Sequence, residues 1–148
     1  MSELSVLRAQ LHAYRDFDEC VVLGLQWLDW GASLSVDLDF VWRDDGSVRS
    51  QEDPRRIVGI RFSGVSELNV VNDLMDAMVG EDASLGWGLG EIACLRVEQV
   101  VPPRSRLTIP SYKASFWREG YAWIEIIFTR WGFSESVQLA HQSPLNSE

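Results

Sequence analysis

From Ser33 to Trp42 the chain alternates without a break. Leu34, Val36, Leu38, Phe40 and Trp42 fall on one side, and Ser33, Ser35, Asp37, Asp39 and Val41 on the other. Successive side chains of a strand point to opposite faces, so this pattern predicts a β-strand with one face in a core and the other in water. A strand of this kind persists only inside a sheet that has something apolar to pack against.

The neighbouring segments keep the same period. Cys20–Leu28 reads as a central strand apolar on both faces, with Val21, Leu23, Leu25 and Trp27 opposite Val22, Gly24, Gln26 and Leu28. Trp30-Gly31-Ala32 turns the chain, and Asp44-Asp45-Gly46-Ser47 opens an exposed loop that runs to Pro54. Arg56–Ser63 is a strand with Val58, Ile60 and Phe62 inward; Gly64 punctuates it and Glu67–Val71 continues it. Ile92–Val100 is a further strand, ended by Pro102-Pro103. Tyr112–Arg118 and Tyr121–Arg130 flank Glu119-Gly120, a hairpin signal, and Phe133–Leu139 adds an edge strand. Helical spacing appears twice. Leu4, Leu7, Leu11 and Tyr14 predict an N-terminal helix within residues 1–16, and Val71, Leu74, Met75 and Met78 predict a second between Asn72 and Gly80. The connections are mostly too short for crossover helices. The expectation is a single mainly β (α+β) domain over residues 1–148. It would be a largely antiparallel sheet or open barrel of seven to nine strands with two short helices, and a polar tail at 140–148.

A chain of 148 residues fits one core, and 46% apolar residues suffice to fill it. The apolar runs are far shorter than the ~20 residues that span a bilayer, and Met1-Ser2-Glu3-Leu4 begins no secretory signal. Cys20 and Cys94 then read as reduced, buried thiols, and the expected location is the cytoplasm. The net charge of −9 is uneven: residues 1–50 and 51–100 each hold nine acids against four arginines, while the last 48 residues hold four acids against five bases. Such a surface repels phosphate backbones, which disfavours nucleic acid, and suits a basic protein partner. Asp37 and Asp39, on the water-facing side of the clearest strand, and Asp44 and Asp45, in the loop after it, are expected to form a compact anionic patch for that partner. Glu81, Asp82 and Trp87 are the next candidates.

Arrangements that carry chemistry are not evident. His12 and Asp16 stand four apart and can face each other, but two groups are missing for a catalytic metal site, and His141 lies in the tail. No metal or cofactor is implied. The cysteines sit in apolar strands without an activating cation, and no serine occupies a Gly-x-Ser-x-Gly elbow. Asp37 and Asp39 share one environment, whereas acid–base pairs need two different ones. Gly86-Trp87-Gly88-Leu89-Gly90 precedes a strand, the wrong order for a phosphate cradle. Of the seven tryptophans, Trp27, Trp42, Trp117, Trp123 and Trp131 suit core or rim packing, while Trp30 and Trp87 sit at turns where binding residues stand.

The stretch Ile60-Arg61-Phe62-Ser63-Gly64-Val65-Ser66-Glu67-Leu68-Asn69-Val70 resembles a pattern of small bacterial immunity proteins, the immunity protein 50 family and its relatives. There a strand ending in Phe-x-Gly-Val leads into a short Leu-x-Val strand. Phe17-Asp18-Glu19-Cys20 stands where those proteins often carry a His-Asp pair, with Phe17 in the histidine position. The resemblance covers about a third of the chain. It implies a stoichiometric antitoxin that neutralises a cognate bacterial toxin, with no catalysis of its own. The functional expectation is therefore a non-catalytic cytoplasmic binding protein that masks a basic surface of its partner. The alternative is a small-ligand or carbohydrate-binding β domain, suggested by the aromatic content.

Overall fold

The computed structural model describes residues 2–71, 90–101, 109–118 and 120–138. One α-helix, α1 (Glu3–Ala13), precedes the strands β1 (Val21–Leu28), β2 (Ser33–Phe40), β3 (Arg55–Ser63), β4 (Glu67–Val70), the two-residue β5 (Gly90–Glu91), β6 (Cys94–Val101), β7 (Ser111–Arg118), β8 (Tyr121–Phe128) and β9 (Arg130–Gln138). They form two sheets, ordered β5-β1-β2-β3-β9 and β4-β8-β7-β6, and every pairing is antiparallel. The domain is mainly β, as the alternation required. Among the described residues it is built from two separate ladders rather than one sheet, and they do not merge into a closed barrel. The helix expected over residues 72–80 and the polar tail lie outside the described residues. No helix among the described residues is long and apolar enough to cross a membrane.

The division into two sheets has a local cause. β3 pairs with β9 and β4 pairs with β8, so β3–β4 and β8–β9 form one antiparallel ribbon that crosses from the first sheet to the second. The ribbon bends at Gly64 and Thr129. Gly64 has φ +65°, and a Cβ placed there would lie 2.1 Å from the Thr129 hydroxyl oxygen. Thr129 donates both its backbone N–H (3.1 Å) and its hydroxyl (3.2 Å) to the Ser63 carbonyl, which pins the corner. Inside the bend, Phe62 meets Phe128 edge-on at 5.0 Å and Trp131 stacks on Phe128 at 5.2 Å. At the other edge, the Ile92 N–H donates to the Cys20 carbonyl and the Ala93 N–H to the Trp117 carbonyl. The chain between β5 and β6 thereby steps across in the same way.

Between the sheets lies one core. Leu34, Val36, Leu38 and Phe40 of β2 and Val58, Ile60 and Phe62 of β3 are buried as the alternation predicts, against Phe116, Ile124, Ile126 and Phe128 of the second sheet. α1 caps one end: Leu7 and Leu11 are buried, Arg8 donates to the Val97 carbonyl, and Gln10 accepts from the Trp131 indole. The helix ends at Ala13 instead of reaching residue 16, because the chain turns left-handed at Arg15 (φ +54°).

β1 departs from its expected role. A register shift between Val22 and Gly24 marks a bulge at Leu23, which puts Val22, Leu25 and Trp27 on one side, opposite Leu38, Val36 and Leu34. Its partner β5 reaches only Val21 and Val22, so among the described residues the rest of β1 is an edge. Val22 is buried, while Trp27 is 49% exposed.

The corner geometry makes Gly64→Ala costly. A left-handed alanine is strained by about 1–2 kcal/mol, and the Thr129 clash adds a comparable overpacking cost. Chemical denaturation should show a loss of about 3 kcal/mol. A variant as stable as the parent would show that the ribbon does not turn at Gly64.

Candidate functional site

Sequence reasoning set Asp37 and Asp39 side by side in water, and the structure separates them. Asp37 is exposed, but Asp39 is only 7% accessible. Its carboxylate accepts two hydrogen bonds from Arg49 (2.6 and 3.1 Å) and two from Arg55 (3.2 and 3.4 Å). The cause lies beyond the strand. After Phe40 the chain doubles back: the Arg49 N–H donates to the Val41 carbonyl at 2.7 Å and Trp42 bridges Val48. That fold lays the Arg49 guanidinium over the end of the sheet face, where Arg55, the first residue of β3, joins it. Buried carboxylates survive when paired in this manner, and a bidentate arginine is the usual means.

The remaining acids of the expected patch fare differently. Asp45 accepts from the Ser47 N–H (2.9 Å) and hydroxyl (2.6 Å), closing a turn. Those bonds hold its carboxyl below the ordinary value of 3.8. Asp44 is fully exposed, with Arg56 at 3.5 Å. Asp53 accepts from Arg43 (2.7 Å) and the Ser50 N–H (2.9 Å), and is likewise held below 3.8, the Arg43 hydrogen bond contributing most. Depressed carboxyls stabilise the fold above their unfolded pKa, and that contribution is lost as pH falls through their folded values. The loop therefore stays clasped at neutral pH and loosens only in strong acid. The four carboxylates do not make a compact anionic patch. Asp39 and Asp45 hold the loop, and Arg43, Arg49, Arg55 and Arg56 interleave the rest. Those four arginines were the available sequence signal.

Trp42 belongs to the same unit. Its indole N–H donates to the Asp18 carbonyl at 2.6 Å, and the Arg15 guanidinium lies 4.6 Å from its ring centre. Arg15, Asp16 and Phe17 all have φ between +53° and +55°. Three left-handed residues in succession are held by Phe17, fully buried and stacked on Tyr14 at 5.2 Å. His12 faces Asp16 at 2.9 Å, although α1 ends at Ala13 and Asp16 stands in the left-handed turn beyond it. Among the described residues no group of three or more His, Cys, Asp or Glu could hold a metal ion.

Both cysteines are free thiols. Burial pushes the Cys20 thiol up to about 12, so it stays protonated in the physiological range, whereas Cys94 is half-buried. Sequence reasoning had both buried; Cys94 points to the outer side of β6, opposite Trp117.

The feature that packing does not explain is the turn between β1 and β2. Asp29 (φ +51°) and Trp30 (φ +59°) are both left-handed, which costs about 1–2 kcal/mol for each non-glycine residue. Trp30 is 105% exposed, so no burial of its ring offsets that strain. The Asp29 carboxylate pairs with Arg61 and ties the turn to the outer face of the first sheet. Trp87, Glu81 and Asp82 lie outside the described residues.

No protein-family model matches this chain, and no curated protein does. Among solved structures, the crystal structure of an uncharacterized protein from Neisseria gonorrhoeae aligns with 79% of this chain and 91% of its own, at 11% identity and a TM-score of 0.45.

Two outcomes follow from this geometry. Asp39→Ala strips the counter-charge from Arg49 and should cost about 3 kcal/mol, while Asp37→Ala should stay within about 0.5 kcal/mol. Equal effects in denaturant would mean that the two carboxylates share one environment after all. In the native state at about pH 8, a disulfide-exchange reagent should modify Cys94 well before Cys20. Faster reaction at Cys20 would contradict its burial.

Proposed function

We propose that this is a non-catalytic cytoplasmic binding protein of the antitoxin kind, which neutralises a bacterial toxin by covering a basic surface. The observation that carries the binding reading is Trp30, a fully exposed indole on a strained turn. Tryptophan and arginine are among the residues most enriched at interface hot spots, and backbone strain of this kind clusters at functional sites. The net charge of −9 supports a basic partner by accelerating association and selecting against acidic competitors. The antitoxin reading draws its support from the resemblance of residues 60–70 to immunity proteins. A second reading, a carbohydrate-binding β domain, is favoured by the same exposed indole, since sugars stack on such rings.

Trp30→Ser separates these readings. The melting temperature should change by no more than about 1 °C, because the ring buries nothing. The immobilised parent should retain a basic protein at low salt, release it at high salt, and block that protein's toxic activity. The variant should retain it far less. Retention unaffected by Trp30→Ser would refute the role of the turn. Quenching of the parent's fluorescence by simple sugars, absent in the variant, would transfer the function to carbohydrate.

A further inference from the structure

We infer that the outer face of the first sheet receives a lysine or arginine side chain of a basic partner protein, seated on Asp37. This rests on the binding reading above and assigns its surface. In register across the four long strands run two rows, Gly24–Asp37–Gly59–Ser134 and Gln26–Ser35–Arg61–Gly132. In the first row glycine stands on both sides of Asp37, so nothing shields its carboxylate from an approaching group.

Gly59 has a further consequence. A Cβ there would lie 3.0 Å from Asp37 Oδ1 and 3.0 Å from Ser134 Oγ. The two oxygens thus converge over bare backbone and leave a cradle that any larger residue would fill. A carboxylate and a hydroxyl accept from an ammonium or guanidinium and have little to offer an anion.

The local cations are already engaged. Arg61 pairs with Asp29, Arg49 and Arg55 with Asp39, and Arg56 with Glu135. Among the described residues no cation pairs with Asp37, so this exposed carboxylate is open to a charge from outside. Asp37 lies four residues from Ser33, about 13 Å along β2, and the turn bearing Trp30 follows at that end. The exposed indole sits on a turn that the Asp29–Arg61 pair ties to this face, at a spacing from Asp37 suited to a single protein footprint.

The probe is an acetylated, amidated peptide of alternating arginine and glycine, with its glutamine–glycine counterpart as control, followed by amide NMR shifts. Saturable shifts are expected at Gly24, Asp37, Gly59 and Ser134 with the arginine peptide alone. Asp37→Asn should weaken binding by about tenfold or more, and Asp44→Asn should leave it unchanged. Shifts centred on the acidic turn at Asp16–Glu19, no saturable shift, or equal affinity for the Asp37→Asn variant would each overturn the assignment. A basic partner lost with Trp30→Ser but fully retained by Asp37→Asn would keep the binding reading and remove this one.

Discussion

Two antiparallel strands pass together from one sheet to the other, and they can do so only where a residue without a side chain meets Thr129. Gly64 supplies that closeness, and the Ser63 carbonyl takes both Thr129 donors, so the bend is fixed in angle as well as position. Everything inside follows from it. Phe62 on one limb and Phe128 on the other are brought edge to face, Trp131 stacks beneath, and the inner faces of β2, β3, β7 and β8 close on a common core. α1 then needs only a short apolar stripe to cover the open end.

Much of this was legible because strand periodicity is a local property. The faces of β2 and β3 and the hairpin joining β7 to β8 follow directly from which residues alternate. Three things were not local. The bulge at Leu23 shifts the faces of β1, and an alternation read across it assigns half the strand to the wrong side. The burial of Asp39 depends on arginines ten and sixteen residues downstream folding back, which no pattern within β2 announces. The bend at Gly64 turns an expected single sheet into two. Of the candidate site, Asp37 and Trp30 stand exposed where sequence reasoning set them, while Asp39 and Asp45 serve the loop.

The division of labour on the first sheet is the basis for the functional account. Its inner face is hydrophobic and buried against the second sheet. On its outer face Arg49 and Arg55 pair with Asp39 and Arg61 with Asp29, while among the described residues no cation pairs with Asp37. The exposed turn carries backbone strain and a bare indole that the core does not require. An exposed carboxylate on a rigid sheet and an exposed indole on the turn at its end are well suited to rigid-body recognition.

A ribbon continuous through both sheets should make them one cooperative body and leave the Trp30 turn outside it. Native-state hydrogen exchange tests this most directly. Slow amides in β2, β3, β7, β8 and β9 should open together with one common free energy, while the Asp29–Gly31 turn exchanges freely. Separate opening energies for the two sheets would contradict it, as would a turn protected as strongly as the core.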